Sequence, residues 1–146
     1  MSTGNIFAPK PGRFGVLPNV IVGRCAAAIG NNTTTTYNFG GHPATCLINR
    51  ALVSAGTVPA SASGTILATL EKYDAAANAA VTLTANIDLE ALTANEGTAV
   101  ALLSTLTEAQ RTLRPGDTLR LAVVTNNTVG TAAVDLVCNV ELLVQE

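Results

Sequence analysis

Leu113-Arg114-Pro115-Gly116-Asp117-Thr118-Leu119-Arg120-Leu121-Ala122-Val123-Val124-Thr125 and, after the polar loop Asn126-Asn127-Thr128-Val129-Gly130, the run Val134–Val144 decide the fold. In the second run Val134, Leu136, Cys138, Val140, Leu142 and Val144 share one face, with Asp135, Asn139, Glu141 and Gln145 on the other. That period of two belongs to a half-buried strand. Pro115 presets φ for the second position of a turn and Gly116 supplies the positive φ that a type II turn needs at its third. The two alternating runs, Thr118–Thr125 and Val134–Val144, are expected to form a terminal β-hairpin, with the last strand central in the fold.

Working back from that end, Val81, Leu83, Ala85, Ile87 and Leu89 alternate with Thr82, Thr84, Asn86, Asp88 and Glu90 and predict a strand. Thr65–Tyr73 predicts another, and the Ala-rich spacer Asp74–Ala79 a helical turn between them. In Thr45–Val58, Leu47, Ala51 and Val53 alternate against Ile48, Arg50 and Leu52, so both faces are partly apolar. Thr33–Phe39 is β-prone through its threonines and Tyr37 and is read as an edge strand or loop. Val16–Ile29 reads as a strand through Val20-Ile21-Val22. Thr98–Leu106 fits both periods and is assigned to a strand, with Glu108–Thr112 as a turn or one helical loop. About eight short strands without a long amphipathic helix predict an all-β antiparallel sandwich.

The first 15 residues carry Pro9, Pro11, Gly4, Gly12 and Gly15 and have no regular period. They are read as an extended N-terminal arm, residues 1–15, in front of a single β-sandwich domain, residues 16–146. Phe7, Lys10, Arg13 and Phe14 are its candidate partner-binding residues, since a segment of this kind orders on a partner by burying apolar side chains and pairing its charges. The competing reading is a frayed terminus.

Composition narrows the function classes. In 146 residues, 48% are apolar but only 12% charged, against about 25% charged in ordinary domains. A charge-poor surface suits packing against other subunits. The net charge of -2 and the scattered basic residues give no footprint for direct nucleic-acid binding. No apolar run reaches the ~20 residues of a membrane span, and the amino terminus has no secretory pattern, so the chain is expected to act without secretion and without a membrane.

Catalytic, metal and cofactor sites are not expected. The single histidine, His42, sits in Gly40-Gly41-His42-Pro43 and reads as a turn residue. On a strand it would stand roughly 13 Å from Cys46, too far for a catalytic pair. Asp88 and Glu90 share the predicted face of one strand and would be the only candidate carboxylate pair, although a solvated strand face explains them as well. Cys25, Cys46 and Cys138 lie in apolar runs and read as reduced core thiols. One internal disulfide, or a thiol placed for an intermolecular bond, is the competing reading.

The turn and strand Leu113-Arg114-Pro115-Gly116-Asp117-Thr118-Leu119, followed by the polar loop and long final strand, resemble the capsid decoration, or cement, proteins of tailed bacteriophages, which have a jelly-roll fold. The resemblance runs from Thr65 to the carboxyl end. It implies a non-enzymatic virion structural protein, assembled in the host cytoplasm, that binds the outer capsid surface as a homo-oligomer (dimer or trimer) and stabilises it by bridging major capsid protein subunits. Another phage structural component, such as a tail-tube or head–tail connector protein, is the alternative, with a carbohydrate-binding β-sandwich behind it.

Overall fold

The computed structural model describes residues 18–25, 31–126 and 129–145. In chain order the elements are β1 (Pro18–Cys25), β2 (Thr34–Gly40), β3 (Cys46–Ser54), β4 (Ala60–Ser61), β5 (Thr65–Asp74), β6 (Ala79–Thr82), β7 (Ile87–Asp88), a 3-10 turn (Leu89–Ala91), β8 (Thr98–Val100), α1 (Glu108–Arg111), β9 (Thr112–Leu113), β10 (Thr118–Asn126), β11 (Val129–Thr131) and β12 (Leu136–Val144). Two antiparallel sheets face each other. Sheet A has the order β1-β12-β3-β8, with β9 also on β3, and sheet B the order β2-β10-β5-β6, with β7 also on β5. The pairing is nested: β1 lies against β12, β2 against β10, β3 against β8 and β9, and β5 against β6 and β7. The sequence expectation of an all-β antiparallel sandwich is met.

The expected terminal hairpin is not formed. β10 pairs with β2 and β5 in sheet B, whereas β12 lies between β1 and β3 in sheet A. β11, paired with β4, lies on the connection between the sheets. Alternation identifies each strand and its inward face, but two strands facing one core from opposite sheets carry the same pattern as two paired in a hairpin. β12 is central as expected, with Leu136, Cys138, Val140 and Leu142 buried. Val134 is 52% exposed and outside the core. Asp135, at φ 53, stands between Val134 and the strand, so the alternation does not carry through it.

The inner faces form one apolar cluster, in which Ile48, Val53, Leu136, Val140 and Leu142 of sheet A and Ile66, Leu70, Leu119, Leu121 and Val123 of sheet B are all buried. Each such side chain contributes roughly 1.5–3 kcal/mol gross on burial. β3 feeds this core from both parities of its sequence. Arg50 pairs with Glu141 and Ile48 with Leu142, leaving Asn49 as a β-bulge. Asn49 and Arg50 therefore fall successively on the outer side, and Cys46 and Ile48 join Ala51 and Val53 inside. This accounts for the apolar residues on both faces of the predicted strand.

Gly23 of β1 is buried because the Phe39 ring occupies the place of a side chain; a Cβ there would stand 2.2 Å from Phe39 Cδ1. Lys72, on the inner face of β5, is 3% exposed. Its Nζ donates to the carbonyls of Ala109 (3.2 Å) and Thr112 (2.9 Å) at the end of α1, so the buried charge is bonded and suits the negative end of the helix. A reciprocal capping box between Thr107 and Gln110 starts that helix.

Three local expectations are corrected. Asp74–Ala79 holds the turn of the β5–β6 hairpin rather than a helical turn, closed by Asp74 Oδ1 accepting from the Ala77 N–H at 3.0 Å and by Asn78 at φ 53. The predicted strand over Val81–Leu89 breaks after Thr82, where the Thr84 hydroxyl takes the Leu70 N–H, and the chain resumes only at β7 before the 3-10 turn. Thr98–Leu106 keeps strand pairing over Thr98–Val100 and a single bridge from Leu102 to Thr84.

Candidate functional site

Phe7, Lys10, Arg13 and Phe14 lie outside the described residues. The described residues start with β1, an edge strand of sheet A. The outer side of that sheet presents Val20 and Val22, each 51% exposed, with half-buried Leu47, Leu52, Val137 and Leu143. Within it, Glu141 accepts from Asn49 (2.6 Å) and from Arg50 Nε (3.1 Å). The outer side of sheet B is chiefly neutral: Thr34, Thr36 and Asn38 of β2 pair with Val124, Ala122 and Arg120 of β10. Arg120 is tied to Glu71 at 2.8 Å and lies over the Tyr73 ring. The threonine run is thus the edge strand of sheet B.

A cleft of about 330 Å³ opens between the sheets where β7, the 3-10 turn and β8 meet. Ala85, Ile87, Ala91, Leu92, Val100 and Ala101 make its wall apolar, and Asp88 is the only charged residue in the lining. Small side chains at 85, 91 and 101 leave the concavity. Among the described residues, β7 and β8 each have a strand neighbour on one side only.

The candidate chemical residues are spent elsewhere. His42 Nδ1 accepts from the Ala44 N–H at 3.0 Å, and Nε2 lies 3.2 Å from the Asn19 amide. Cys46 is buried and its Sγ donates to the Ala44 carbonyl at 3.4 Å. Asp88 and Glu90 do not share a strand face. Asp88 caps the 3-10 turn by accepting from the Glu90 N–H. Glu90 accepts from the Ser61 N–H and Oγ (2.5 and 2.7 Å), and those bonds, the backbone one first, hold its carboxyl below the usual range. All three cysteines are free; burial pushes the thiols of Cys25 and Cys138 up to about 12 and also raises that of Cys46. Among the described residues no cluster of His, Cys, Asp and Glu could hold a metal ion, and no helix is long and apolar enough to cross a membrane.

The turn that carries the resemblance has a physical role. Asp117 is 4% exposed; its Oδ2 accepts from the Arg114 N–H and its Oδ1 from the Ala75 N–H, each at 3.0 Å, while its own N–H donates to Arg114 O. Gly116, at φ +97, permits the turn. The β7–β8 cleft was missed in the sequence because its wall is made of alanines and a broken strand; the one local sign was the clash of periods in Thr98–Leu106. Comparison of the chain with protein-family models, curated proteins and solved structures gives no match.

Proposed function

We propose that the sandwich is a jelly roll and that the protein is a non-enzymatic structural component of a phage virion. In this reading it binds the outer surface of the capsid as a homo-oligomer and bridges major capsid protein subunits. The observation that carries it is the nested strand order of the two main sheets, β1 on β12, β2 on β10 and β3 on β8 and β9, which a folded-back chain adopts when wound into two sheets and which viral capsid domains share. The Leu113–Leu119 turn, with its buried Asp117 clamp, supports the resemblance to decoration proteins at the place where the sequence first suggested it.

The outer faces suit this role. Threonine, asparagine, valine and leucine can be covered by a partner at little desolvation cost, because few charges must be stripped of water. The arm, residues 1–15, is the proposed second contact, reaching a neighbouring subunit. Lectins also use jelly rolls, but Tyr37 is in the core, Phe39 packs on Gly23 and Tyr73 lies beneath Arg120.

Cosedimentation of the full-length protein with purified tailed-phage capsid shells tests the proposal. Saturation at a fixed ratio to the major capsid protein is expected, with loss of attachment on deleting residues 1–15. Failure of the intact protein to bind shells removes the capsid assignment, and retention on a glycan array would replace it with the lectin reading.

A further inference from the structure

We infer that the cleft between β7 and β8 is the seat for the arm of a second copy of this chain, with residues 5–8 added along a free strand edge, Phe7 in the apolar hollow and Lys10 beside Asp88. This rests on the oligomer in the preceding proposal and names the contact that builds it.

Shape, backbone chemistry and charge each point to this occupant. An aromatic ring requires an apolar hollow, and alanines at 85, 91 and 101 leave one of about 330 Å³. Among the described residues the strands bordering it have no partner on one edge, whose N–H and C=O groups are best satisfied by an added extended segment. Asn5-Ile6-Phe7-Ala8 retains all its N–H groups, and Pro9 ends the stretch that can pair. Residues 1–17 contain Lys10 and Arg13 and no acidic residue. Asp88, meanwhile, has no cationic partner among the described residues, where the ion pairs are Arg50–Glu141 and Arg120–Glu71.

The oligomer of the preceding proposal supplies another copy's arm for this seat. β1 and β8 lie at opposite edges of sheet A. An arm leaving Pro18 would have to cross three strand spacings, roughly 14 Å, a distance that the ten residues between Phe7 and Pro18 can span at about 3.3 Å each, and then turn inward over β8. That path carries Lys10 and Arg13 across the face that holds exposed Arg24, a like charge that an arm from a second molecule need not cross, while Arg50 there is paired with Glu141. Two copies exchanging arms close a dimer, and one-way donation closes a ring.

The test places the photoreactive residue p-benzoylphenylalanine at Phe7 in the full chain and irradiates a mixture of light and heavy-isotope chains. Cross-links from one chain to residues 85–101 of the other are expected. Ala85→Phe and Ala91→Phe, both at exposed positions, should each lower their yield by about tenfold without loss of the cooperative melt. Asp88→Asn, which keeps the cap on Glu90, should lower the yield at low salt more than at high salt. Cross-links within one chain, cross-links to other surfaces, or none at all overturn the inference. The readout needs no capsid: cross-linking without shell binding removes the capsid reading alone, and shell binding without cross-linking removes this contact alone.

Discussion

Asn49 has no residue of β12 opposite it, and its side-chain amide donates to the Glu141 carboxylate at 2.6 Å across the bulge that it forms. Removing Asn49 would restore plain alternation, with Arg50 outside and Ile48 and Cys46 still inside. Removing Leu52 would instead carry Arg50 into the inner position of Ala51, which is 1% exposed. The Asn49 deletion is expected to retain a cooperative melt at a lowered midpoint, and the Leu52 deletion to have none. Equal behaviour of the two would show that the bulge does not set the register.

Leu136 and Val134 separate the observed register from simple alternation. Leu136→Asp puts a charge into the core and should abolish folding. Val134→Asp, at a residue 52% exposed, should change stability by no more than about 0.5 kcal/mol. Thermal unfolding of both variants decides it, and a native-like melt of Leu136→Asp would contradict the buried face of β12.

Asp117 joins two turns from a buried position, so Asp117→Ala leaves the Ala75 and Arg114 N–H groups without their acceptor. The expected loss is about 2–3 kcal/mol. Denaturant titration measures it, and a midpoint equal to that of the parent would leave the turn without the role given to it.

Acid should destabilise the protein through carboxylates held below their ordinary range. Glu141 is lowered by the hydrogen bond from Asn49 and then by Arg50, Glu90 by Ser61, and Asp74 by the Ala77 N–H. A depressed folded value means that the unfolded chain takes up protons first as pH falls. Their contribution is therefore complete above the ordinary carboxylate values, near 4.5 for Glu and 3.8 for Asp, and fades below them. Melting temperatures should be level from about pH 7 to pH 5 and fall by about pH 3. A level profile throughout would contradict the linkage.

The three free thiols should resist alkylation in the native protein near pH 8, because the reactive thiolate is suppressed by burial. Under denaturing, non-reducing conditions all three should take label. Mass measurement would reveal a disulfide as fewer than three additions.

Strand positions and inward faces were legible where alternation is uninterrupted, as in Leu136–Leu142, and the helical loop after Glu108 was open to reading through Thr107 and Gln110. Pairing was not, because β10 and β12 have the same inward pattern from opposite sheets. The bulge at Asn49 and the left-handed Asp135 each interrupt the period at a residue whose identity alone does not demand it. Alternation alone places Asp88 and Glu90 on one face, because the pattern does not show that Glu90 turns to meet Ser61.

The pairing of Pro18 with Leu143 bears on the order in which the chain can become native. Among the described residues β1 has no strand beside it within sheet A until β12 is made, and β3, which pairs earlier with β8 and β9 on one edge, waits for β12 on the other. Closing such distant pairings costs loop entropy before any contact repays it, which places domains of this kind among the slow folders, at milliseconds to seconds. During synthesis, β1 and the β12-side edge of β3 stay unpaired until β12 is released. The carboxyl-terminal strand thus acts as a latch on the timing of maturation: a chain cut short before Leu136 would leave both β1 and β3 with open edges that invite association with other chains.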